Sequence, residues 1–362
     1  MHGSASRRHV VVVGGGVVGC MTAYQLARAG FPVTLVERDA IAAHASGRNA
    51  GNLNPLVGTP PALGWLAIES FRIHQRIGAE LAQLGYATAT PARRLHLGFD
   101  ERERAALEEI VGLHVGVEGF SAVWLTQDDM RRLEPGLSAD VTFGLLTQGA
   151  LTLDGEGFTR SLADAATKLG ARIVHDTVLG VSTAGEQVLG VETCTGVIAC
   201  DEAVFATGPW VAELGRWLGV EPSVRPMKGE ILLVRLPGAT PRHDLTWGST
   251  SLYRRREGET WVGVTSEDCG FDATPSAEAK SALLGAAARI WPDIGRAEPF
   301  DHFAALRPVT PSGLPIAGRA PGWRNAWIAN GGGSKGMLLS AGIAQILCGL
   351  LLGAPDQVAE VA

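Results

Sequence analysis

Apolar positions follow two periods along this chain. Residues Val10–Val13 form an unbroken apolar run, the pattern of a strand buried on both faces. Beyond Gly14 the spacing becomes helical: Val18, Met21 and Leu26 share one stripe, and Gly30 stops it. A second apolar run, residues 33–36, ends at Glu37. Ile73, Ile77, Leu81 and Leu84 predict another amphipathic helix. Between residues 86 and 150 the pattern breaks into short strands, a charged helix around 101–109 and the turn Leu133-Glu134-Pro135-Gly136. Strand–helix alternation resumes at Asp154: Phe158, Leu162, Ala166 and Leu169 form a stripe, Gly170 stops it, and a strand begins at 171–174. Residues 203–206 read as one more buried strand. From about 222 to 300, segments such as ILLVRL and TWVGVT alternate with period two and predict antiparallel sheet. Residues 301–362 read as strand, turn, strand, glycine loop and helix.

These periods predict two interleaved domains of a mixed α/β (α+β) fold. One is built from residues 1–85, 151–221 and 301–362, the other from 86–150 and 222–300. The uncharged stretch 337–352 is shorter than the ~20 residues a membrane span needs. It therefore reads as a buried core helix, and membrane contact is not expected.

Composition narrows the classes. With 31 Lys plus Arg against 37 Asp plus Glu, the net charge is −6, which leaves no basic footprint for nucleic acid. The five cysteines show no C-x-x-C spacing, so neither a disulfide framework nor a metal site is read. The leader MHGSASRR has no apolar core, so no signal peptide is read, and the cytoplasm is the expected location.

The chemistry begins in HVVVVGGGVVGCMTAYQLARAGFPVTLVER. Gly14, Gly16 and Gly19 fall in the order G-x-G-x-x-G between a strand and a helix. Gly14 permits the tight turn, Gly16 lets backbone approach a pyrophosphate, and Gly19 lets the helix pack closely on the strand. The helix N-terminus offers N–H groups and partial positive charge to phosphates. Glu37, at the end of the second strand, can accept hydrogen bonds from a ribose and would repel the 2′-phosphate of NADP. NAD and FAD both stay open on this motif. Two more glycine-rich strand ends, at 207–208 and 331–336, lie far away in the chain. A simple NAD dehydrogenase needs only the first site, whereas a long cofactor such as FAD uses all three.

At this point the chain resembles the D-amino-acid oxidase superfamily of FAD enzymes, in particular the glycine oxidase, D-amino-acid dehydrogenase and monomeric sarcosine oxidase types. The resemblance rests on VVVGGGVVGCMTAYQLARAG with Glu37, ASGRNAGNLNP, LTLDGEGFTRSLADAATKLGARI, VFATGPW, VRPMKGE, LRPVTPSGLPIAG and NGGGSKGMLLSAG. It implies a Rossmann-like FAD-binding domain carrying an inserted antiparallel-sheet substrate domain. It implies that Gly14, Gly16, Val17, Val18, Gly19, Glu37 and Arg38 hold the ADP half. Ser46, Arg48, Asn49, Ala50 and Gly51 would pass along the flavin and pyrophosphate, and Val178 would meet the adenine side. Thr207, Gly208 and Trp210 would close over the cofactor. Gly332, Gly333, Ser334, Lys335, Gly336 and Met337 would bring backbone N–H groups to the flavin's pyrimidine edge. Arg307 matches the arginine that grips the substrate carboxylate, a task suited to its planar fork. Tyr253, Asn52 and Lys335 are the further substrate-facing positions by the same resemblance.

Two departures from the sarcosine oxidase type shape the expectation. The segment Ala304-Ala305-Leu306-Arg307-Pro308-Val309 has no cysteine, so FAD is expected to be non-covalent. Trp261 stands nearest to the place of that type's oxygen-activating lysine. The reaction implied is oxidation of a small amine or amino acid: a D-amino acid, glycine or an N-substituted amino acid. The Cα–H would leave as hydride to flavin N5, and the imine product would hydrolyse. The electron acceptor is O2 or another carrier, and a homo- or hetero-oligomer stays open. Two rival readings are a 2-hydroxy-acid oxidoreductase on the same fold, which would want a histidine base, and an FAD-carrying subunit of a hetero-oligomeric dehydrogenase. His302 reads as a core or loop histidine.

Overall fold

The computed structural model describes residues 8–255 and 258–354; the polar leader 1–7 lies outside them. A six-stranded sheet occupies the centre, in the order Ile316–Arg319, Ala326–Asn330, Glu202–Phe205, Val10–Val13, Val33–Glu37, Arg172–His175. Every pairing in it is parallel except that of Ile316–Arg319. The all-apolar strand Val10–Val13 is central and fully buried, as a parallel strand covered on both faces must be. On one face pack the helices Val17–Arg28, Gly155–Lys168 and Gly336–Leu351, with Met21, Leu26, Phe158, Leu162 and Leu338 in a common core. On the other face Val11, Val13 and Phe205 meet Val188 and Val191 of a small antiparallel sheet, Gly196–Ala199, Gln187–Thr193 and Val178–Ala184.

The segment Gly333–Leu351 is apolar and long enough by composition to cross a membrane. Here it packs against the helices Val17–Arg28 and Gly64–Gln83, and most of its helical residues are buried. His74 and Gln25 anchor it: His74 Nε2 lies 2.9 Å from the Met337 carbonyl, and Gln25 Nε2 donates to that of Ala341.

The second sheet has nine strands, in the order Glu298–Val309, Arg225–Arg235, Glu259–Gly263, Thr250–Arg254, Asp244–Trp247, Thr90–Gly98, Phe143–Thr152, Asn52–Leu53, with Ser121–Leu125 beside Phe143–Thr152. It is antiparallel apart from the junction of Asp244–Trp247 with Thr90–Gly98. Two of the domain boundaries read from the sequence shift here. Strand Glu298–Val309 pairs along its length with Arg225–Arg235, so residues 301–309 belong to this sheet and the third piece of the parallel domain starts after Val309. Residues Asn52–Leu53 also join it, through Thr152 and Leu151. Alternation in FDHFAALRPV is masked because both faces of that strand are partly covered.

Candidate active site

A cleft of about 820 Å³ runs between the two large sheets, within the range typical of cofactor and ligand sites. Gly14, Gly16, Val17, Val18, Glu37, Arg38, Ser46, Arg48, Asn49, Ala50, Gly51, Asn52, Val178, Thr207, Gly208, Trp210, Tyr253, Arg307 and the run 332–337 all line it. Gly19 does not. It sits beneath the first turn, where a Cβ would collide with the carbonyl oxygen of Gly14. Gly14 has φ +112° and lies against the Ala206 carbonyl, so two strand ends meet there with no room for a side chain.

At one end of the cleft Glu37 accepts from Gly15 N–H (2.5 Å) and Asp39 N–H (2.8 Å), which fixes its carboxylate beside the glycine turn. The helix Val17–Arg28 starts at Gly16 without a capping side chain of its own; Val17 N–H donates to Ser46 Oγ (2.8 Å). Trp210 contacts two groups that nothing in the sequence pairs with it. The Arg38 guanidinium lies 4.4 Å from its ring centre and the His44 ring 4.7 Å away. Asp39 holds His44 (2.7 Å), and that contact keeps the Asp39 carboxyl below the usual carboxylate range.

At the other end, strand Glu298–Val309 presents Arg307, and Tyr253 comes from the strand Thr250–Arg254. Arg307 Nη2 donates to the Thr265 carbonyl (2.5 Å), with the Lys228 carbonyl at 3.4 Å. Among the described residues no carboxylate sits beside it; burial pushes its pKa down, and Tyr253 opposes the shift. Asn52 lines the cleft from the short strand Asn52–Leu53.

Lys335 departs from a solvated loop lysine. It is half-buried, and Nζ donates to the carbonyls of Asn54 (2.9 Å) and Val57 (2.6 Å). Burial, with Arg94 adding repulsion, pushes its pKa down to about 8. Its first task is to tie the 54–57 segment to the glycine loop. Trp261 also departs from expectation. It stands on the same sheet face as its cross-strand partner Tyr253 but beyond the cleft, lining a second cavity of about 520 Å³, packed on Phe303 (5.6 Å) and under Arg255 (4.6 Å). His302 lies outside the cleft, with Nε2 2.9 Å from Glu230 Oε2. Of the lining residues not singled out in the sequence, Gly229, Ile231, Val264 and Thr265 come from the alternating region, where VRPMKGE and Tyr253 gave the signals.

Two features fit the cleft to a long dinucleotide. Thr207 Oγ1 is buried with no hydrogen-bond partner, a polar atom that a ligand would satisfy. The helix Gly336–Leu351 also begins without a capping side chain, so two helix N-termini converge on one cleft.

The family model for FAD dependent oxidoreductases named DAO matches residues 9–350. The chain belongs to this family. It is 32% identical to a glycine oxidase of Pseudomonas aeruginosa over 360 residues, covering 95% of this chain and 94% of that one. It is 29% identical to a D-amino acid dehydrogenase of Cereibacter sphaeroides, covering 96% and 93%. The crystal structure of a glycine oxidase from Bacillus cereus superposes with a TM-score of 0.87 at 27% identity, over 96% and 95% of the two chains. This DAO-family chain is an FAD-dependent amino-acid oxidoreductase. Gly14, Gly16, Glu37, Thr207 and the 332–337 loop are the residues that would hold its FAD.

Proposed function

We propose that the enzyme oxidises a small α-amino acid or N-substituted amino acid of the glycine oxidase type, with Arg307 holding the substrate carboxylate. The observation that carries this reading is the charge distribution in the cleft. Among the described lining residues the acids are Glu37, Asp176 and Glu213. Glu37 and Asp176 lie at the ends of adjacent strands, next to Gly15 and Thr195, and Glu213 follows the Gly208 turn. The Arg307 end carries cations only. An arginine bound solely to carbonyls keeps donors for a ligand carboxylate, and its planar fork sets that ligand's orientation.

Bound FAD would supply the redox chemistry by accepting hydride from the substrate carbon. The chain's own task is placement. No carboxylate at the Arg307 end stabilises an ammonium, so the amine binds uncharged, and an uncharged amine needs no strong base to lose its Cα hydride. The same end lacks a histidine among the described residues: His44 lies against Trp210 at the Glu37 end and His302 is outside the cleft. This disfavours the hydroxy-acid alternative, which wants a base at the hydroxyl.

The test is the pH profile of kcat/KM. Below the substrate's ammonium pKa it should rise about tenfold per pH unit, because only the neutral amine is productive. A flat profile between pH 6 and the ammonium pKa would show that the cationic form binds and reacts.

A further inference from the structure

Gly229 lies in the middle of the strand Arg225–Arg235, where glycine weakens a sheet and demands a reason. Its backbone is not in the left-handed region, so conformational freedom is not that reason. The contact is. A Cβ on Gly229 would stand 2.7 Å from Arg307 Cζ and 3.0 Å from Nε, and closer still to Nη2. The guanidinium occupies the space that a side chain at Gly229 would fill. Arg307 itself pairs with Met227 across the two strands, so the contact is diagonal, one step along the ladder.

The neighbours of Gly229 complete the arrangement from the other side of the sheet. Gly229 and Ile231 line the cleft; Lys228 and Glu230 do not, as strand alternation requires. Both are buried, at 4% and 0% exposure, with Lys228 Nζ 3.0 Å from Glu230 Oε1 and 3.3 Å from Glu267 Oε2. Backbone bonds join Lys228 and Glu267 in both directions (2.9 and 3.0 Å), and Glu230 N–H donates to Thr265 Oγ1 (3.0 Å). Glu230 also accepts from Ser276 N–H (3.0 Å). The segment 265–276 is thereby riveted to the strand, and its first residue supplies the carbonyl that pins Arg307 Nη2.

We propose that Gly229 and the buried Lys228–Glu230 pair are the positioning device for Arg307. Gly229 leaves the space in which the guanidinium lies, and the ion pair fixes the Thr265 carbonyl against it. Arg307 is then aimed before a substrate arrives, and binding does not have to order a free arginine side chain. The inference rests on the reading of Arg307 as the carboxylate anchor.

The experiment is a double-mutant cycle on the holoenzyme. The probe is acetate, an unreactive carboxylate, followed through the perturbation of flavin absorbance, with KM and kcat for an amino-acid substrate measured in parallel. The overlap falls on a flexible side chain, so Gly229→Ala should fold and keep its FAD. It should weaken acetate binding and raise KM by about tenfold, and the same change on an Arg307→Ala background should do nothing further. Glu230→Gln, which keeps the Ser276 contact and loses the charge, should weaken acetate by about threefold, again only when Arg307 is present. If Arg307→Ala loses acetate while Gly229→Ala binds it as wild type does, or if Gly229→Ala weakens it equally in both backgrounds, the positioning role is wrong and the anchor stands. If Arg307→Ala binds acetate normally, the anchor is wrong and the positioning role falls with it.

Discussion

Arg307→Ala should weaken amino-acid binding by about 2–5 kcal/mol, the cost of truncating one partner of a buried charge-assisted pair, or roughly 30- to 3,000-fold in affinity. The size follows from the environment. Arg307 is half-buried, bonded only to the Thr265 and Lys228 carbonyls, and without a carboxylate among the described residues, so a ligand carboxylate meets an unpaired cation. Arg307→Lys should recover only part of the loss, since an ammonium cannot reproduce the bidentate fork. The measurement is the anaerobic rate of flavin bleaching against substrate concentration, with FAD content checked in each variant. Wild-type affinity and rate in both variants would make Arg307 a turn residue before Pro308.

Glu37→Arg should lower FAD affinity by at least tenfold, about 1.4 kcal/mol. The carboxylate now satisfies Gly15 N–H and Asp39 N–H, and hydrogen bonds to charged acceptors contribute about 1.5–3 kcal/mol each. Arginine removes that acceptor and adds a cation next to Arg38. It also places a larger side chain against Gly15, which is already in close contact with the Glu37 stem. The variant should lose flavin on dialysis under conditions where the wild type keeps it. In the wild type, acid precipitation should release all the flavin, as the cysteine-free segment before Thr310 leads one to expect. Equal occupancy of variant and wild type after dialysis would place Glu37 away from the ribose.

The parts of the fold legible in the sequence are those set by local physics. The turn Gly14–Gly19, the helix after it and Glu37 sit within one short unit, and each residue there has a steric or electrostatic task that spacing alone reveals. The three glycine sites converge on one cleft because parallel strands end on the same side, which topology imposes. What escaped depends on contacts between distant segments. Lys335 finds its acceptors on Asn54 and Val57, so nothing around Lys335 announces that its ammonium is tied down. Trp261 shares the sheet face of its cross-strand partner Tyr253, but how far along that face the cleft extends is set by the distant segments that cover it. The part played by Gly229 is visible only once Arg307 is laid across it from the adjacent strand. In the sequence, Gly229 falls within VRPMKGE, and nothing in that segment shows what lies across it.

The central claim is that a small amino acid is oxidised while its carboxylate is held at Arg307, and a panel of substrates tests it most directly. The purified holoenzyme is mixed anaerobically with glycine, sarcosine, D-alanine, methylamine and glycolate, and flavin absorbance is followed. Bleaching by one or more of the three amino acids is expected, with none by methylamine, which lacks the carboxylate, or by glycolate, which lacks the amine. Bleaching by methylamine as fast as by any amino acid, or by glycolate alone, would contradict it.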